Sequence, residues 1–186
     1  MRIICAYSLR HLRISMTELK NFFSVGDYII DFEKIYQISS QKDQKDLSGK
    51  NLSYFFYKPI EITSQNETTY STPIDNIFKS GLRPLINSDV IKKLYKEAAE
   101  KIDPETILDY KSIKETLYQN DPGKSLTILK QLFLEKEKAP DAFSRTNKEI
   151  LEEILSHISN EIAFVTKKPI EKIREKLTSL IQKAIK

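Results

Sequence analysis

The side chains able to do chemistry are few and scattered. The chain has one cysteine, Cys5, and two histidines, His11 and His157. A Cys/His zinc cage needs about four ligands, so these residues exclude one. No third ligand lies near either histidine, and no Ser or Cys, His and Asp fall into a nucleophilic constellation. Glu149, Glu152 and Glu153 cluster on one predicted helix. Paired carboxylates do acid–base work only when a sheltered cleft raises one pKa. Near a helix N-terminus they more simply complement the dipole and stay solvated. Asn120-Asp121-Pro122-Gly123-Lys124 holds a Gly-Lys pair but no upstream glycines, and reads as a helix start. With 4 glycines in 186 residues, phosphate cradles of the P-loop or dinucleotide type are excluded. The sequence therefore predicts no enzyme and no cofactor.

Surfaces remain. Hydrophobic residues are 40% and charged residues 30% of the chain, a globular balance. No run of about 18 apolar residues exists, so no membrane span is expected. A lone Cys5 cannot form an intramolecular disulfide, which fits a reducing cytoplasm. Net charge is +4, too mild to identify a nucleic-acid partner, but its distribution is uneven. Residues 167–186 carry seven bases against two acids. That stretch is either a solvated helix face or a phosphate-binding patch.

The elements that must carry these surfaces change type part-way along. Residues 1–19 read as an N-terminal extension, expected to be disordered. From Phe22 to Pro84 the signals are strand-like. Tyr28-Ile29-Ile30 follows Val25-Gly26-Asp27, and Lys34 to Ile38 alternates polar and apolar. Gln41 to Asn51 reads as a polar loop. Tyr54-Phe55-Phe56-Tyr57 fits a strand buried on both faces. Ser64 to Glu67 reads as a turn. Thr68 to Thr72 is β-branched and polar, as an edge strand is, and Pro73 should end it. After Asn87 the chain reads as helices. Asp103-Pro104 and Asp121-Pro122 place a capping Asp before Pro, Ser144 caps another helix with Phe143 as a staple, and Pro169 opens the last. Apolar stripes recur at helical spacing, as in Leu126, Leu129, Leu132, Phe133, in Ile150, Leu151, Ile154, Leu155, Ile158, Ile162 and in Ile170, Ile173, Leu177, Leu180, Ile181, Ala184. The expected fold is α+β: a small barrel or curled sheet over residues 20–86, then an all-α bundle of about five helices over 87–186.

One segment is more specific. Thr72-Pro73-Ile74-Asp75-Asn76, followed by Gly81-Leu82-Arg83, resembles the V-P-(V/I)-D-N…G-(L/V)-R segment of the CarD/CdnL family of bacterial RNA polymerase-binding regulators. Phe23-Ser24-Val25-Gly26-Asp27 is similar to that family's opening F-x-(V/I)-G-D. Tyr54 to Lys58 looks like its aromatic strand, with Gly49 in the preceding loop. Tyr110-Lys111 and the Ser144 to Lys148 helix start continue the likeness, which covers about residues 20–186.

The resemblance implies a Tudor-like or SH3-like N-terminal barrel that docks on the polymerase β subunit by strand pairing. It implies a helical module that reaches promoter DNA at the upstream edge of the transcription bubble. The partner-facing residues would be Lys45, Thr68, Thr69, Tyr70, Ser71 and Thr72. The DNA-facing residues would be Thr106, Tyr110, Lys111, Lys148, Lys167 and Lys168. The chain departs from the family where a Trp wedge and two Arg are expected, since it has no Trp and the matching stretch is Thr106-Ile107-Leu108-Asp109. The family's Y-P-x-H-G is replaced by Asp31 to Ile35, and a docking-strand Arg by Ser71. Losing a wedge and two cations weakens the expected DNA contact. The expected protein is thus a cytoplasmic monomer tethered to RNA polymerase. The alternative is a stand-alone DNA-binding protein using its basic C-terminal helix.

Overall fold

The computed structural model describes residues 23–31, 34–45, 49–60, 68–77, 79–102 and 110–185, without the side chains of 110–112. Expectations for residues 1–19, the turn at 64–67, the Asp103-Pro104 cap and Thr106 lie outside these residues. The chain divides into two compact units between Leu85 and Ile86.

The first unit is a five-stranded antiparallel sheet, curled into a half-barrel. Its strands are β1 (Tyr28–Ile30), β2 (Ile35–Lys45), β3 (Asn51–Pro59), β4 (Tyr70–Pro73) and β5 (Arg83–Pro84). They lie in the order β4-β3-β2-β1-β5. A Ser24–Asp27 turn starts the sheet. Gly26 takes φ +96° there, where a Cβ would be strained, and its N–H donates to the Ile38 carbonyl at 2.8 Å. The β2–β3 register shifts between Ile38 and Ser40, leaving Ser39 as a bulge that adds twist. Ser39 Oγ donates back to the Phe56 carbonyl at 3.0 Å. One sheet face gathers Phe23, Ile29, Tyr36, Ile38, Phe55 and Tyr57 into a core with Ile74, Ile77 and Leu82.

Three local expectations are corrected here. Gln41 to Asn51 is not a loop throughout, because β2 runs on to Lys45 and β3 starts at Asn51. Residues 41–45 are exposed, so ladder hydrogen bonds hold this polar ribbon without a buried face. Tyr54 to Tyr57 is not buried on both faces. Phe55 and Tyr57 point into the core, whereas Tyr54 and Phe56 stay half-exposed. The fourth strand is Tyr70–Pro73, so Thr68 and Thr69 precede it and Pro73 is its last residue.

The second unit holds five helices among the described residues: α1 (Ser88–Ala99), α2 (Tyr110–Tyr118), α3 (Pro122–Lys138), α4 (Arg145–Thr166) and α5 (Ile170–Ile185). Their starts follow local chemistry. The Asn87 side chain accepts from the Asp89 and Val90 amides, Asp121 from Gly123 and Lys124, and Ser144 from Asn147. The stripe Ile173, Leu177, Ile181, Ala184 is buried along α5, and full burial of each Leu or Ile contributes roughly 1.5–3 kcal/mol. Phe143 is buried just before α4, while Lys148 stays exposed.

Two buried polar groups stitch this unit together. Glu161 on α4 is 2% exposed, and its Oε1 accepts from the Ile86 amide at 2.9 Å. Lys130 on α3 donates from Nζ to the Glu97 and Glu100 carbonyls, both at 2.7 Å, at the end of α1. The Glu97 carbonyl also accepts from the Glu100 N–H at 3.3 Å, so the cation adds a second bond there and caps the Glu100 carbonyl just past the helix end. Burial lowers the Lys130 pKa, partly offset by Glu100 and Glu97. No described helix is long and apolar enough to cross a membrane.

Candidate docking edge and basic surfaces

β4 forms one edge of the sheet and, among the described residues, pairs with β3 alone. Its register sets Tyr70 opposite Tyr57, Ser71 opposite Phe56, Thr72 opposite Phe55 and Pro73 opposite Tyr54. Proline has no N–H, so Pro73 and Tyr54 cannot be a hydrogen-bonded pair. Antiparallel pairs alternate between hydrogen-bonded and non-bonded. Thr72 and Tyr70 therefore bond to β3, and the backbone groups of Ser71 and Pro73 face outward. The edge thus presents one donor, the Ser71 N–H, flanked by the Ser71 and Pro73 carbonyls.

Side chains on β4 divide the same way. Thr72 is 6% exposed and faces Phe55 in the core, so neither its backbone nor its hydroxyl serves the edge. This corrects its place among the partner-facing residues, which alternation along the strand had to decide. Ser71 is exposed and Tyr70 is 42% exposed. Thr68 and Thr69 are exposed but lie before the strand. Lys45 sits at the far end of β2, paired with Asn51. That is three β3 positions beyond the Pro73 register, roughly 10 Å along the strand.

Tyr70 completes an aromatic cluster. Its ring stacks on Tyr57 at 5.9 Å and 17°. Tyr36 stands edge-on to both, at 5.3 Å from Tyr57 and 5.6 Å from Tyr70. The Tyr36 hydroxyl donates to Asp31 Oδ2 at 2.8 Å, while Asp31 Oδ1 accepts from the Lys34 amide at 2.8 Å. Burial raises the Tyr36 pKa above its ordinary value of 10, helped by the Asp31 hydrogen bond and charge. Burial also raises that of Tyr57, helped by the Asp31 charge and by Tyr70.

A pH dependence follows. Unfolded tyrosines ionise near pH 10, whereas Tyr36 and Tyr57 stay neutral in the fold. Their contribution is fully present below pH 10 and is lost as pH rises toward their raised folded values. A tyrosinate absorbance titration should show Tyr36, Tyr57 and the half-buried Tyr95 lagging among the nine tyrosines. All nine ionising together near pH 10, in a chain that stays folded, would contradict this packing.

Lys148 and Lys167, two of the expected DNA-facing bases, lie at opposite ends of α4. Tyr110 and Lys111 open α2, and Lys148 lies in the first turn of α4. Lys167 caps the far end of α4 in a left-handed conformation, φ 56°, with Lys168 next. Nineteen residues of helix separate Lys148 from Lys167, roughly 28 Å. Several C-terminal bases have local partners. Lys167 Nζ lies 4.1 Å from the Phe164 ring centroid and Lys176 Nζ 3.8 Å from that of Tyr95. Arg174 pairs with Glu152 and Arg145 with Glu149. On α5 the exposed Lys172, Lys176 and Lys183 fall at i, i+4 and i+11, within about 40° of one helix face. This stripe was legible as a spacing but had registered only as a charge count.

No protein-family model matches the chain, and no curated protein matches it.

Proposed function

We propose that the protein is a non-enzymatic, cytoplasmic transcription regulator of the CarD/CdnL kind. Its N-terminal unit is Tudor-like and docks on the RNA polymerase β subunit by adding a strand at β4. The observation that carries the reading is the outward Ser71 N–H and C=O on an edge strand. Main-chain pairing to such an edge supplies affinity, and alternate side chains supply selectivity. The likeness of residues 72–83 to the family segment that closes its β-module begins on this same strand.

The helical unit contacts promoter DNA through phosphates alone. The exposed Lys172 and Lys183 on one face of α5 support that role, and the missing Trp leaves no wedge to insert between bases. Such contact is salt-dependent and too slight to act without the polymerase tether. The test is binding of the full chain to core RNA polymerase in low salt. Saturable 1:1 binding supports the reading, and no binding at about tens of micromolar, a mere 6–7 kcal/mol of association energy, refutes it.

A further inference from the structure

We propose that the strand docking on β4 presents a cationic side chain, an arginine or a lysine, against Tyr70. This inference rests on the reading of β4 as the docking edge. Tyr57 occupies the β3 side of the Tyr70 ring, so the ring's other side faces the arriving strand. Because the Tyr70 backbone groups bond to β3, the residue opposite Tyr70 in an antiparallel partner forms a non-hydrogen-bonded pair. Such pairs bring Cα atoms to about 4.5 Å and put side chains in direct contact.

The exposed Tyr70 ring itself favours a cation. Tyrosine faces are electron-rich and attract a cation within about 6 Å. Three tyrosines meet at this point, and the Asp31 carboxylate holds the Tyr36 hydroxyl at their phenol end. Tyr36 and Tyr57 are 5% and 9% exposed, whereas Asp31 itself is half-exposed, so its charge is partly screened by water. The neighbouring side chains on the approach, Thr68, Thr69 and Ser71, are uncharged and exposed. An arginine or lysine has the length to lay its head along the exposed Tyr70 ring. An aliphatic residue would gain only contact area, and an acidic one would meet repulsion.

Charge reversal at Tyr70 tests this in the full chain against core RNA polymerase at moderate salt. Tyr70→Phe should bind within about twofold of wild type, since it keeps the ring. Tyr70→Glu should bind at least about tenfold tighter than Tyr70→Lys, since one pairs with the partner's cation and the other repels it. The same Glu and Lys pair at Gln44, exposed on the hairpin, reports non-specific electrostatics and should differ by less than about threefold. Equal affinities for the two Tyr70 charge variants, or a Gln44 ratio as large, would overturn the cation. Ser71→Pro separates the two claims. If it binds as wild type, the docking edge itself is wrong. If it fails to bind while the Tyr70 pair shows no charge preference, the edge stands and the cation falls.

Discussion

Ser71→Pro should weaken binding to core RNA polymerase by at least about tenfold, with the fold intact. Ser71 supplies the single outward donor of β4. Proline removes that donor and places its ring where a partner carbonyl would sit. A lost hydrogen bond alone contributes about 0.5–1.5 kcal/mol, and a partner carbonyl left buried and unpaired costs about 1–3 kcal/mol more. An outward-facing edge position tolerates proline, and strand geometry suits the residue before it. Thr72→Pro is the contrasting variant. Its N–H bonds to β3, so proline there removes a ladder hydrogen bond and should destabilise the sheet itself, by about 1–3 kcal/mol. Equilibrium binding and circular dichroism on both variants separate loss of docking from loss of fold. Undiminished binding by a folded Ser71→Pro chain would refute the edge.

Phe55→Ala should destabilise the β unit by about 3–5 kcal/mol, the range for emptying a buried aromatic site. Phe55 is fully buried, meets Phe23 edge-on at 6.2 Å, and faces Thr72 across the β3–β4 ladder. β4 pairs with β3 alone among the described residues, so a cavity beneath that pairing loosens the docking strand. Docking should weaken in the same variant. Phe55→Leu refills most of the volume and should lose less than half as much. Urea unfolding followed by tyrosine fluorescence measures both. A Phe55→Ala loss below about 1 kcal/mol would mean that this ring is not the core of the unit.

The helical unit was the more legible half. Asp121-Pro122 and Ser144 mark helix starts because capping is local, satisfying amides two or three residues away. The stripes on α3, α4 and α5 are buried where helical spacing put them, because one face must leave water, except that Ile150, Ile170 and Leu180 at the margins stay half-buried. The sheet was harder. Residues 41–45 are polar on both faces, so nothing periodic marks them as strand, and only pairing with 51–55 reveals it. Thr72 looked like surface until register set it against Phe55.

The site shows the same division. That an edge strand lies near residue 70 was readable from β-branched polar residues ending in proline. Which backbone groups face out required the register of Pro73 against Tyr54. The cluster of Tyr36, Tyr57 and Tyr70 joins three strands and has no sequence signature at all. Partners for Lys167, Arg174 and Lys176 lie on other elements or one turn away, so counting charges overstated how many bases are available to phosphate. Lys130 and Glu161 were missed because a buried charge is justified only by the acceptors or donors that meet it in the fold.

Amide hydrogen exchange at Ser71, read residue by residue in the full chain, tests the central claim most directly. The account predicts fast exchange at Ser71 beside a protected Thr72 in the unbound chain, and strong protection of Ser71 once core RNA polymerase is added. A Ser71 amide already protected without the polymerase, or still exchanging fast in its complex, would contradict it.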